Sequence, residues 1–183
     1  QAEIDRILGE LSAEAGSFAS GIISSYQAVV QLNLIFAKAN LGYKMKATMP
    51  ELNDEGKVDL KRARHPLIAK EKVVPTDIQL GLTFDTLVIT GPNTGGKTVS
   101  IKTIGLMTLM AMCGLLLPVA DGSRISVFDK VLADIGDEQS IEQSLSTFSA
   151  HMTNIIRILA ETDGRSLVLL DELGAGTDPV EGA

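Results

Sequence analysis

The chain has 183 residues, 45% of them apolar and 21% charged, with a formal net charge of −7. That length suits one core with a small appendage, and the balance excludes a disordered chain and a strongly basic nucleic-acid module. A lone cysteine, Cys113 in an apolar run, excludes an internal disulfide and reads as a buried free thiol; with no secretory leader in QAEIDRILGELSAEAG, a cytoplasmic protein is expected.

From Ala2 to about Ala39 the apolar positions Ile4, Ile7, Leu8, Leu11 and later Val29, Val30, Leu32, Leu34 and Ile35 recur at helical spacing without proline. One or two amphipathic helices are expected there, with a break or a close helix contact in the Ser, Gly and Ala-rich stretch Ser12–Ser25. A start in mid-helix suggests a chain cut from something longer. Between Gly42 and Lys72, Pro50, Asn53, Gly56 and Pro66 punctuate short strands and turns, and the domain boundary is placed near residue 43.

Beyond it the pattern is α/β. Short strands are expected near Ile78–Leu80 and Leu87–Thr90, a helix from Lys97 to about Leu115, a turn at Asp121–Ser123 and a strand at Val131–Ile135. A helix from about Thr147 to Glu161 would carry Phe148, Met152, Ile155, Ile156 and Leu159 on one stripe, followed by a fully buried parallel strand, Ser166–Leu170. The apolar run Ile104–Ala120 contains Thr108, two glycines and Pro118 and falls short of a membrane span. Charge is uneven: Tyr43–Lys72 carries eight Lys or Arg against five acids, and Asp121–Ala183 twelve acids against four bases.

Gly91–Thr98, GPNTGGKT, matches G-x-x-x-x-G-K-[ST] with an apolar run before it and a helical pattern after it. The glycines let backbone N–H groups turn inward, and the helix start adds its positive end. Lys97 would reach the terminal phosphates of a nucleotide and the Thr98 hydroxyl would bind Mg²⁺. A turn using glycine for geometry alone would not call for a lysine and a hydroxyl at those two places. In LVLLDELGAGTDP, an acid pair follows a buried strand, where open α/β sheets bind ligands. Asp171 would hold Mg²⁺ through water and Glu172 would polarise an attacking water. Ser144, Ser146 and Thr147 at a helix start form either a second anion site or an ordinary N-cap.

These motifs, in this order and spacing from about Arg64-His65-Pro66 onward, resemble the ATPase domain of MutS proteins, members of the ABC class of P-loop ATPases. Thr94 in the loop, IGDEQSIEQSLSTFSAHM and GTDPVEG look like the second bacterial branch, linked to suppression of recombination and to rescue of collided ribosomes, rather than the mismatch-repair branch. The resemblance implies residues 1–43 as a helical segment from the end of the core and lever region, and 44–183 as an ABC-type P-loop NTPase domain incomplete at its C-terminus.

It further implies that Gly91, Pro92, Asn93, Thr94, Gly95, Gly96, Lys97, Thr98 and Val99 bind ATP, with Asn93 at the γ-phosphate. Ser146 would reach the nucleotide of the opposing subunit of a homodimer, and the Gly174–Asp178 loop would lie at the dimer seam. Val73, Val74 and Ile78 would lie beside the adenine. DNA, or the ribosome and its rRNA, would be bound by regions outside this chain, as would the Smr-type nuclease of the parent. Rival readings are a P-loop phosphotransferase and a nucleotide sensor without turnover. His65, before a proline, reads as a turn residue, and His151 has no acidic or Cys neighbours of metal spacing in sequence; neither is assigned to catalysis.

Overall fold

Two helices make up the N-terminal region. A computed structural model describes residues 1–91, 95–136 and 144–172, and for residues 144–150 the backbone alone. The chain divides into two compact units, Gln1–Leu41 and Gly42–Ala183. In the first, α1 (Ala2–Ser17) gives way to α2 (Ala19–Met45) at Phe18, which sits at φ −102°, ψ 5°. The break lies within the stretch where the sequence predicts one. The Ser17 hydroxyl donates to the Glu14 carbonyl at 2.6 Å, a local bond that competes with the helix ladder. The expectation of an amphipathic stripe fails on α2. Val29, Val30, Leu32, Leu34, Ile35 and Phe36 are all exposed, and at 100° per residue they ring the helix rather than line one face.

The second unit holds two sheets. A four-stranded sheet has the order β1 (Glu51–Asn53), β4 (Arg124–Ser126), β2 (Val58–Ala63), β3 (Thr76–Leu80). β1 and β4 run parallel, and β2 is antiparallel to both β4 and β3. The β2–β3 ladder shifts register between Leu60 and Ala63, where Arg62 adopts φ 49°. The bulge amide donates to Asp77 Oδ1 at 2.6 Å. The second sheet pairs β5 (Lys130–Asp134) with β6 (Ser166–Leu170) in parallel.

Helix α3 (Lys97–Met112) packs against β3 and β4 of the first sheet and β6 of the second. Its buried residues include Ile104, Met107, Met110 and Ala111, which join Val58, Leu60, Ile78, Leu117, Ile125, Leu167 and Leu169 in one core. Thr103 and Thr108 are tolerated there because their hydroxyls donate to the carbonyls of Val99 and Ile104, at 2.6 and 2.8 Å. A methyl built at Gly105 would lie 2.5 Å from Leu169 Cδ1. Glycine is what lets α3 approach β6.

Four further expectations change. Leu87–Thr90 is in no strand, and Val88 is 77% exposed: the run has the composition of an interior strand, but no described strand pairs with it. Cys113 is exposed, since it caps the C-terminus of α3 rather than lying inside the helix. β6 is not buried throughout; Leu167 and Leu169 are, while Val168 and Leu170 are half-buried, as follows from packing one face on α3. On α4 (Ser144–Glu161) the inward residue is Ile158, and Ile156 and Leu159 are each 67% exposed. The helix is turned so that residues 151, 155 and 158 face inward. Among the described residues, no helix is long and apolar enough to cross a membrane.

Replacing Gly105 with Val should destabilise the protein by about 1–3 kcal/mol, because overpacking a filled core moves side chains or backbone. Urea denaturation checks this, with a lowered midpoint and an unchanged slope expected.

Candidate functional site

Two groups of polar residues stand out in the second unit. The first is the glycine loop. Gly91 has φ 143° and Gly96, the N-cap of α3, φ 77°, both in the region that side chains with a Cβ avoid. Pro92, Asn93 and Thr94 lie outside the described residues. Lys97 opens α3 and its Nζ donates to the Gly91 carbonyl at 2.6 Å. The lysine thus spans the loop from end to end. The first turn of α3 has no acidic residue and no side-chain cap, so its N–H groups and the Lys97 ammonium present positive charge together. Thr98 is half-buried in that turn and Val99 is exposed.

The second group sits at the carboxyl ends of β5 and β6. Register pairs Asp134 with Leu170, and the ladder runs one step further, the Asp171 amide donating to the Asp134 carbonyl at 2.9 Å. Both carboxylates are buried, at 7% and 9% exposure. Asp134 receives Asn154 Nδ2 on one oxygen at 2.7 Å and meets His151 Nδ1 at the other at 2.9 Å. Burial pushes the Asp134 carboxyl up, but the hydrogen bonds from Asn154 and His151, with the attraction of His151, outweigh it and hold the group below the usual range. Asp171 Oδ1 accepts the Glu172 amide at 3.1 Å. Glu172 is exposed and has φ 50°, an uncommon conformation for a residue with a Cβ.

The Asp134–His151–Asn154 network is the feature that sequence reasoning missed. His151 looks isolated when only its neighbours in sequence are read. The available signal was positional: an acid closing one strand of a βα unit, and His and Asn three apart on the returning helix, one face of which must cover that strand. Gly136 also belongs here, since a methyl on it would lie 3.0 Å from His151 Cε1.

The remaining candidates are dispersed. His65 Nδ1 accepts the Leu67 amide at 3.3 Å, a turn role; burial and then the charge of Lys102 push its pKa down. Ile78 is in the core at 5% exposure, Val73 is half-buried and Val74 exposed, so Ile78 offers no surface for a base. Ser146 lies in α4, whose backbone is described there; the Gly174–Asp178 loop lies outside the described residues. Among the described residues no three His, Cys, Asp or Glu side chains gather to hold a metal ion.

The sequence profile of MutS domain V matches residues 87–183. The chain belongs to the MutS family. Proteins called Endonuclease MutS2 align along its whole length: that of Caldanaerobacter subterraneus subsp. tengcongensis is 62% identical over 183 residues, covering 100% of this chain and 23% of that protein. That of a Geobacillus species is 60% identical over 181 residues, with 99% and 23% covered, and that of Clostridium perfringens strain SM101 is 58% identical over 183 residues, with 100% and 23% covered. The chain spans 23% of the length of these relatives. The similarity falls on the second bacterial branch of the MutS family, as the loop with Thr94 predicts, and both polar groups lie inside the stretch matched to MutS domain V.

The turn that launches β6 is held by Asp163, which accepts Lys130 Nζ at 2.8 Å, the Ser166 hydroxyl at 2.8 Å and the Arg165 amide at 2.9 Å. These lower its pKa to about 2, the Lys130 bond most. Because the folded value lies below the unfolded one, near 3.9, the stability it contributes is present above about pH 4 and lost as pH falls towards about 2. Melting temperatures across that window should fall more steeply for the parent chain than for Asp163→Ala.

Proposed function

We propose that the chain binds ATP with Mg²⁺ and hydrolyses it, as the ABC-class P-loop ATPase part of a MutS-type homodimer. The observation that carries this reading is the Lys97–Gly91 bridge across a glycine loop at the uncapped start of α3, in the same packed unit as the buried Asp171. The loop amides and Lys97 would hold the β- and γ-phosphates. The residues fit a nucleotide-borne Mg²⁺, which typically uses one or two protein ligands and takes the rest from phosphate and water: Thr98 supplies a hydroxyl and Asp171 a buried carboxylate. When bound, the ion neutralises charge on the phosphates.

Glu172, the next residue, would orient a water so that its oxygen attacks the γ-phosphorus, accepting the proton as the bond to the β-phosphate oxygen breaks and ADP and phosphate form. Asn93 would contact the γ-phosphate, and Ser146 of the opposing copy would complete the pocket. The cycle would then drive opening and closing on DNA, in suppression of recombination, or on a collided ribosome. Contacts to those targets, and the endonuclease activity in the relatives' names, would belong to parts outside this chain. A cytoplasmic location fits this role.

Glu172→Gln in the dimer-forming protein should keep ATP binding while lowering turnover by about a hundredfold or more, the scale of a lost general base. Lys97→Ala should lose both. Unchanged turnover in Glu172→Gln, measured by phosphate release, would sink the hydrolysis reading.

A further inference from the structure

One residue of the second polar group reaches in two directions. The main-chain carbonyl of Asp134 accepts the Asp171 amide at 2.9 Å, which fixes where β6 delivers that acid. The Asp134 carboxylate is committed elsewhere, to α4: Asn154 Nδ2 donates to Oδ1 at 2.7 Å, and His151 Nδ1 stands 2.9 Å from Oδ2. An ionised carboxylate only accepts, so Nδ1 carries the hydrogen and each oxygen has its donor.

The donors are set as firmly as the acceptor. His151 and Asn154 lie three apart and share a face of α4. Arg157 Nη2 donates to Asn154 Oδ1 at 2.8 Å, so the amide presents its nitrogen to Asp134 and cannot turn over without losing both bonds. The imidazole is hemmed in by Gly136, where a methyl would lie 3.0 Å from Cε1 and 3.1 Å from Nε2.

Burying a carboxylate is costly unless its hydrogen bonds are met, and α4 docks on other contacts as well. Ile158 is 1% exposed, and the Glu161 carbonyl accepts Lys130 Nζ at 2.8 Å. Both of those anchors hold the C-terminal half of the helix. At 1.5 Å per residue, Ser146 lies about 18 Å along the axis from Ile158, so a tilt of about 4° pivoting there would swing it by about an ångström. A fixed point at His151 shortens that lever to about 8 Å.

We propose, resting on the ATPase reading above, that Asp134, His151 and Asn154 are positioning residues for the half of the nucleotide pocket that one copy offers to the other. They pin α4 to the end of β5, against which Asp171 is also held, and so set the Ser146 turn where the opposing copy's nucleotide meets it. Loss of the clamp would harm the partner copy's pocket. It would spare the chain's own glycine loop and Asp171, whose bond to Asp134 is made by main-chain atoms.

The test uses the dimer-forming parent protein. His151→Leu removes the donor at similar volume, whereas His151→Asn keeps one, because asparagine Nδ2, like the ring's Nδ1, is bonded to Cγ. The Leu variant should keep the parent's KM for ATP and lose about tenfold to a hundredfold in kcat, the scale of a misplaced catalytic group, and the Asn variant should regain most of it. Co-expressed with Lys97→Ala chains, which are inactive but carry an intact clamp, His151→Leu chains should recover turnover above that of either variant alone. In such a mixed dimer the clamped serine faces the working glycine loop. Unchanged kinetics in His151→Leu, a raised KM with kcat unchanged, an Asn variant as poor as Leu, or no recovery in the mixed dimer would overturn the positioning role. If His151→Leu does not fold, as read by its melting temperature, Asp134→Leu with His151→Leu takes its place, since it removes charge and donor together. A double variant that also fails to fold would make the network a stability element and overturn the role as well. Each of these outcomes leaves the effect of Glu172→Gln standing, whereas absence of turnover in the parent sinks both readings.

Discussion

Helix α3 reaches β6 only because residue 105 has no side chain; an added methyl would stand 2.5 Å from Leu169 Cδ1. Much of the second unit's arrangement depends on that contact. The helix carries Lys97 and Thr98 at its start, and β6 delivers Asp171 at its end. A cation-bearing helix start and an acid-bearing strand end are therefore parts of one packed body rather than of two loops that must find each other. It also packs on β3 and β4, so the same helix ties the mixed sheet to the parallel pair. Preorganisation of this kind spares charged groups the cost of being brought together when a ligand arrives.

Elements with local signals were legible in the sequence. The glycine loop, α3, β5, α4 and β6 each follow from turn residues or a clear period, because those features reflect constraints within a few residues. What escaped depends on distant partners. β1 pairs in parallel with β4, Glu51 against Arg124, a pairing that no window of sequence contains. The run Leu87–Thr90 has an interior strand's composition but lies outside any ladder, and α4 turns Ile158 inward where periodicity alone favoured Ile156 and Leu159. The Asp134–His151 contact failed to appear for the same reason: its members are 17 residues apart, and only the return of the helix over the strand joins them.

The uneven charge visible in the sequence takes on physical meaning once the fold is known. The basic excess of residues 43–72 becomes the rim of a cleft: Lys44 and Lys46 end α2, Arg64 follows β2, and Lys70 lies in the turns beyond. On the acidic side, Asp134 and Asp171 stand at strand ends where buried carboxylates need donors, and Asn154, His151 and the Glu172 amide supply them. A single net charge of −7 hides this separation. Composition could argue against a strongly basic module, but it could not disclose a basic cleft on an acidic chain.

Strain follows the same division. Among the described residues, those with positive φ and a Cβ are Lys46, Arg62 and Glu172. Each conformation carries a cost of order 1 kcal/mol or more, so something nearby must hold it. For Arg62 the holder is visible and structural: the bulge amide meets Asp77, and the twist lets β2 serve two neighbours. For Lys46 the helix-end hydrogen bonds and the Arg64 guanidinium fix the backbone, yet the same bonds would form with glycine, which leaves the lysine side chain itself without a folding reason. For Glu172 the Asp171 carboxylate holds the amide, and again the bond does not require a glutamate. In all three, a hydrogen bond made by the residue's own backbone holds the conformation, so the local strain is offset by contacts that a different side chain would leave in place.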